Sequence, residues 1–252
     1  MAGKVRPVVK ALLPSEHGSW AFVLEPILIG GILGHNLQAW LLGLGGFLGF
    51  LAFRPALLAF ADLSKGKRYP RTIPALIVSV TLGLFSFALL ASFWVSNPAA
   101  SPTLTAFLAL GVVFLIVDHR AKPRSLWREL LGAILTIPIS LSMALPKGHD
   151  FLTLVCALLV LRAVTAVLTV RGIIGRSEDS RFGAIAAMLI GLSLPILSYQ
   201  IGSIWLAAAY GIVTLRSLWF GLTPGRARAA KSIGFQELAV SLAIVCAWLL
   251  VA

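Results

Sequence analysis

The chain has 252 residues, of which 59% are apolar and 12% charged, and its 21 Lys and Arg against 9 Asp and Glu give a formal charge of +12. Soluble domains carry about 45–50% apolar and about 25% charged residues, and a soluble chain of this length has too little core to hide so much apolar side chain. The composition excludes an ordinary soluble domain, a basic nucleic-acid-binding one included, and leaves a single integral membrane domain over residues 1–252 with lipid as its solvent.

A bilayer-crossing helix needs about 20 mostly apolar residues. The opening stretch through Gly18 lacks the apolar core and small-residue cleavage site of a signal peptide, so the first apolar run is expected to be retained as a helix. Nine spans are predicted, at 17–36, 39–59, 73–95, 103–118, 129–145, 151–171, 182–199, 202–220 and 233–251. The fold class is therefore all-α, a polytopic transmembrane bundle of about nine helices. The fourth and fifth spans are short. Tyr199, Gln200 and Gly202 alone separate the seventh from the eighth, and without that break the count is eight.

Loop charge tests the count. With nine spans, 18 of the 21 basic residues fall on the amino-terminal side, Lys147 falls on the other, and Arg162 and Arg216 lie within helices. Basic loops stay in the cytoplasm, so the amino terminus is expected there, with the basic runs Lys65 to Arg68 and Arg120 to Arg128 against anionic head groups. Gly30 with Gly34, and Gly45 with Gly49, have the four-residue spacing that lets helix backbones approach. Pro26, Pro138 and Pro195 lie within spans and are expected to kink them, with freed carbonyls satisfied by neighbouring helices.

Candidate chemistry starts at Glu16, His17 and Trp20, where the first span enters the membrane. Histidine titrates near neutral pH, so His17 can move a proton or hold a phosphate oxygen. Trp20 suits an interfacial anchor and is also a candidate substrate contact. Glu25 lies eight residues beyond His17, about 12 Å deeper on a helical rise of about 1.5 Å per residue. An ionisable group at that depth is costly and implies a partner. Arg162, midway along the sixth span, is too deep to snorkel and is the expected partner. Arg216 lies about a turn from the cytoplasmic end of its span and is able to snorkel. It is expected near Glu237, just inside the last span. Buried pairs of this kind also serve packing alone. Cys156 and Cys246 read as small apolar residues. The scattered histidines and the absence of a Gly-rich phosphate loop, a zinc motif or paired cysteines assign no metal and leave any cofactor unknown.

The run Glu16-His17-Gly18-Ser19-Trp20 with Pro26 and Gly30, then Val170-Arg171 and Gly234-x-x-Glu237, resembles the YwiC-like family of bacterial membrane proteins. That resemblance implies a bacterial inner-membrane location and carries no activity with it. Asp118 to Arg124, followed by Leu130 to Ala133, more distantly resembles the middle loop and next helix of the UbiA-type intramembrane prenyltransferases. The likeness implies a nine-helix architecture with polar motifs on cytoplasmic loops, and a prenyl diphosphate-like substrate. The family's first motif has Asn and two Asp four residues apart, where this chain has Arg54, Leu58 and Asp62. Its later acidic pair is here Glu178 and Asp179, adjacent rather than spaced. Two carboxylate clusters normally hold Mg²⁺ against a diphosphate, so intact metal-dependent transfer is not implied.

The expectation is an intramembrane site that binds or transfers an anionic amphiphile. Glu16, His17 and Glu25 are its acid–base or orienting groups. Trp20, Arg54, Asp62, Arg120, Lys122, Arg162, Arg171, Arg216 and Glu237 are its candidate substrate contacts. The alternatives are a small-solute or proton-coupled transporter and a noncatalytic membrane scaffold.

Overall fold

The computed structural model describes residues 17–66, 68–120, 125–174, 178–222 and 230–251. The described residues form helices and turns without a strand. In chain order the helices are α1 (His17–Gly34), α2 (Leu37–Ser64), α3 (Thr72–Ser96), α4 (Ser101–Arg120), α5 (Leu126–Ile134), α6 (Ile137–Met143), α7 (His149–Ile174), α8 (Glu178–Tyr199), α9 (Ile204–Leu222) and α10 (Ala230–Leu249). With α5 and α6 counted as one span, seven helices are long and apolar enough to cross a membrane, and α1 and α9 supply two shorter apolar ones. The nine-span bundle is therefore present among the described residues.

Two boundaries differ from expectation. α4 has 20 residues, about 30 Å of helix, and is a full span rather than a short one. The fifth span is broken at Leu135–Thr136, and Pro138 sits in the first turn of α6. Proline has no N–H to lose there, so Pro138 starts a helix where a kink was expected. The weak boundary near residue 200 is a real turn, with Gly202 at φ +83° after α8. The α1–α2 turn is two residues long. His35 takes a left-handed conformation, and Asn36 caps α2 by accepting from the Ala39 N–H at 2.7 Å.

α1 is the central element and packs on α2, α6 and α10. One apolar core joins its Ile29 and Leu33 to Val155 and Leu158 of α7, Leu194 of α8, Tyr210 of α9 and Trp248 of α10. A second joins its Val23 and Ile27 to Leu42 of α2, Leu104 of α4 and Ile139 of α6. Both glycine pairs are contact points. A Cβ on Gly30 would meet the Ser140 backbone at 2.8 Å, and one on Gly34 would collide with the Met143 carbonyl oxygen. Gly45 and Gly49 face α3, where Ser86 donates to the Gly45 carbonyl at 2.7 Å. Close backbone approach is what small residues permit between helices in lipid.

Two prolines leave carbonyls that a neighbouring threonine satisfies. Pro26 cannot donate to the carbonyl of Phe22, which instead accepts from Thr136 Oγ1 at 2.9 Å. Pro195 leaves the Gly191 carbonyl in the same state, and Thr214 Oγ1 donates to it at 2.5 Å. The α5–α6 break is tied to α1 in this way, because Thr136 lies in it.

Candidate functional site

Glu25 on α1, Arg162 on α7, Arg216 on α9, and Glu237 and Ser241 on α10 converge in one polar network inside the bundle. Glu25, Arg162 and Glu237 are 5%, 3% and 1% exposed. An ionised group so far from water needs a partner of opposite charge. Arg162 supplies two contacts. Its NH2 donates to Glu237 Oε2 at 2.8 Å, and its Nε lies 3.6 Å from Glu25 Oε2. Arg216 pairs with the other oxygen of Glu237, and Ser241 donates to Glu25 Oε2. Two carboxylates therefore face two guanidiniums, and the formal charge of the network is zero.

The two expected pairs, Glu25 with Arg162 and Arg216 with Glu237, are both in contact, but they are not separate. Glu237 joins them, clamped between two guanidiniums. Arg216 does not snorkel: its side chain is 13% exposed, turned towards Glu237, with its guanidinium 5.8 Å from the Phe220 ring centre. A buried carboxylate within reach outweighs the head-group region for a cation that would otherwise cross apolar side chains.

The carboxylates differ in their surroundings. Glu237 accepts from both arginines, whereas Glu25 Oε1 has no hydrogen-bond partner and its single guanidinium stands at 3.6 Å. Arg162 NH1 is also without a partner. Both residues line a narrow crevice with room for about one water molecule, partly open to the outside of the bundle. Its other walls are Phe22 and Pro26 of α1, Ala133 of α5, Ile137 of α6, and Leu159 and Ala163 of α7. The crevice thus lies where the proline of α1 meets the α5–α6 break. Tyr210 is fully buried within electrostatic reach of Glu25 and Arg162.

Other candidates lie elsewhere. Trp20 packs against Phe47 and Phe50 of α2, with ring centres at 6.2 and 5.6 Å. Asp62, near the end of α2, accepts from Arg71 at 3.0 and 3.2 Å and from Thr72 Oγ1 at 2.9 Å. The hydrogen bonds from Arg71 to Asp62 hold the Arg71 proton more tightly than usual. Arg171 pairs with Glu129 at 2.9 Å, and Arg128 pairs with Asp118, so these charges tie the start of α5 to α7 and α4. Arg54 lies on α2, His17 is the first residue of α1 and Arg120 the last of α4. Glu16 and Lys122 lie outside the described residues.

The Mg²⁺ site implied by the prenyltransferase likeness does not fit the residues present. Both Asp62 oxygens are engaged by Arg71 and Thr72, and no cluster of three metal-capable side chains occurs among the described residues. Ser241 and Thr136 were not singled out from sequence. Ser241 was within reach, being four residues after Glu237 and so on the same helical face. Thr136 carries no such signal.

Fold and network together define a polytopic helical membrane protein with a charge-balanced ion network buried inside its helix bundle. The chain belongs to the YwiC-like family, whose family model, described as YwiC-like protein, matches residues 13–145, more than half of its length. The match takes in Glu25 and the crevice walls from α1, α5 and α6, while Arg162, Arg216 and Glu237 lie beyond it. No curated protein and no solved structure matches the chain.

Proposed function

We propose that the crevice beside Glu25 and Arg162 receives the anionic head group of an amphiphile, and that the protein binds or transfers such a molecule in a bacterial inner membrane. The carrying observation is Arg162, a buried guanidinium whose NH1 has no partner on the wall of a partly open crevice. Buried guanidiniums are strong, geometrically specific grips for phosphate and carboxylate. The crevice has room for about one water molecule. A head group at Arg162 therefore needs the walls at the α5–α6 break to part, with the tail left along apolar walls and lipid.

The prenyltransferase likeness supports a prenyl diphosphate-like ligand held by guanidinium rather than by metal. In this reading Glu16, His17 and Glu25 are the proton-handling groups. Trp20, Arg54, Asp62, Arg120, Lys122 and Arg171 belong to a cytoplasmic approach, and Arg216 and Glu237 orient Arg162. The amino terminus and basic loops face the cytoplasm. A second reading, a proton-coupled or small-solute transporter, is favoured by one observation. A proline-containing α1 and a broken α5–α6 meet at the ion network, and interrupted helices are common at transporter sites.

Native mass spectrometry of the wild type and of the charge-balanced double variant Glu25→Gln with Arg162→Gln tests the proposal. The wild type is expected to retain a discrete anionic amphiphile that the folded double variant loses. Bulk phospholipid alone on the wild type would end this reading in favour of the transporter, which uptake into proteoliposomes tests.

A further inference from the structure

We infer that the site takes up a proton together with its anion, and that Glu25 is the proton's acceptor. This rests on the proposed anion site at Arg162. The anion and Glu25 compete for one guanidinium. Arg162 is the cation that faces Glu25, at 3.6 Å, and its NH2 is already committed to Glu237 at 2.8 Å. An incoming anion that widens the crevice meets Nε and Nη1 of Arg162, the buried atoms without hydrogen-bond partners, and so displaces Glu25.

Among the described residues, Glu25 then has no second cation acting on it. The groups facing α1 from α2, α5, α6, α9 and α10 show this. From α10 come Glu237, a like charge, and Ser241, a neutral donor. From α9, Arg216 is turned to Glu237, with its Nε and Nη1 free of hydrogen bonds, and is not among the charges acting on Glu25, and Tyr210 is a neutral phenol. From α5 and α6 the crevice walls are Ala133 and Ile137. Arg128 and Glu129 at the start of α5, and Asp62 on α2, are each in pairs of their own. Arg54 of α2 is not among the charges acting on Glu25, which are Arg162 and Glu237. A buried carboxylate stripped of its cation takes a proton rather than remain charged.

The balance closes. The anion forms its bond to Arg162, the Glu25–Arg162 contact breaks, one proton passes from bulk solution to Glu25, and the formal charge of the loaded site remains zero. Glu237 does not take this role, because it keeps both Arg216 and the Nη2 of Arg162.

The test uses decanesulfonate, an amphiphile whose own charge does not change across the working pH. It is titrated calorimetrically into purified protein in a non-ionic detergent, with empty micelles as blank. Two buffers of different ionisation heat are used, so that the heats report protons taken up. Between about pH 6 and about pH 8 the wild type is expected to take up about one proton per sulfonate. Where uptake is complete, affinity should fall about tenfold per unit rise in pH. Glu25→Gln is expected to bind with no proton uptake and no pH slope. The wild-type proton count stands by itself if that variant does not fold. Binding by the wild type without proton uptake, or the same uptake by Glu25→Gln, overturns the coupling and leaves the anion site in place. No binding of sulfonate by the wild type at any pH removes the anion site and the coupling with it.

Discussion

Glu25 and Glu237 have the same side chain and are both buried, and partners decide their difference. Removing one member of a buried ion pair typically costs about 3–5 kcal/mol, because the remaining charge is left alone. Glu237 holds two guanidiniums, so Glu237→Gln leaves two arginines short of a carboxylate. We expect that substitution to lower stability by about 3–5 kcal/mol, and Glu25→Gln to lower it less, since its guanidinium stands at 3.6 Å. Thermal unfolding of both variants in the same detergent checks the order, and equal losses would contradict it. Each charged member of the network was legible as a residue out of place in an apolar run. That Glu237 joins two pairs into one network was not legible, because sequence orders residues along a helix and leaves the neighbouring helix unspecified.

At the scale of elements, glycine, proline and threonine set how helices meet. Gly34 sits against the Met143 carbonyl, and Gly83 faces open space. Gly34→Ala should therefore separate α1 from α6 and lower the midpoint of thermal unfolding, with Gly83→Ala near neutral. A Gly34→Ala midpoint at the Gly83→Ala value would refute the close approach. Thr136→Val orphans the Phe22 carbonyl beside Pro26 and is expected to cost about 1–3 kcal/mol. Thr214→Val should do the same to the Gly191 carbonyl beside Pro195. Chemical denaturation of the two variants reads both effects, and a neutral Thr136→Val would mean that the carbonyl has another partner. The prolines were visible in the sequence. The threonine donors lie 114 and 23 residues along the chain from the carbonyls they satisfy, too far for any local pattern to connect them.

The whole molecule has a central half and a lipid-facing half. In the most apolar stretch of α7, 50% of residues are buried, against 11% in those of α3 and α4. The outward residues of these two helices, among them Leu84, Phe85, Phe87 and Val112, are large and apolar. The bundle therefore presents α3 and α4 to lipid while α1 and α7 carry the site. The proposed orientation predicts the sidedness of the loops. In a background with Cys156 and Cys246 replaced, a single cysteine at Lys147 should react with an impermeant thiol reagent in intact cells. One at Gly66 should react only after permeabilisation. The reverse pattern would place the amino terminus outside.

Sequence by itself determined the solvent, the helix count and the residues that do not belong in lipid. Each follows from the cost of placing a polar or charged group in hydrocarbon, which acts on every segment separately. Tertiary structure decided the rest. It placed Asp62 against Arg71 and Thr72, turned Arg216 inward, and broke the fifth span where its Thr136 satisfies α1. It also brought α1, α7, α9 and α10 around one charge-balanced network. These outcomes depend on which helices are neighbours, and in a bundle that is set by packing between surfaces far apart in the chain.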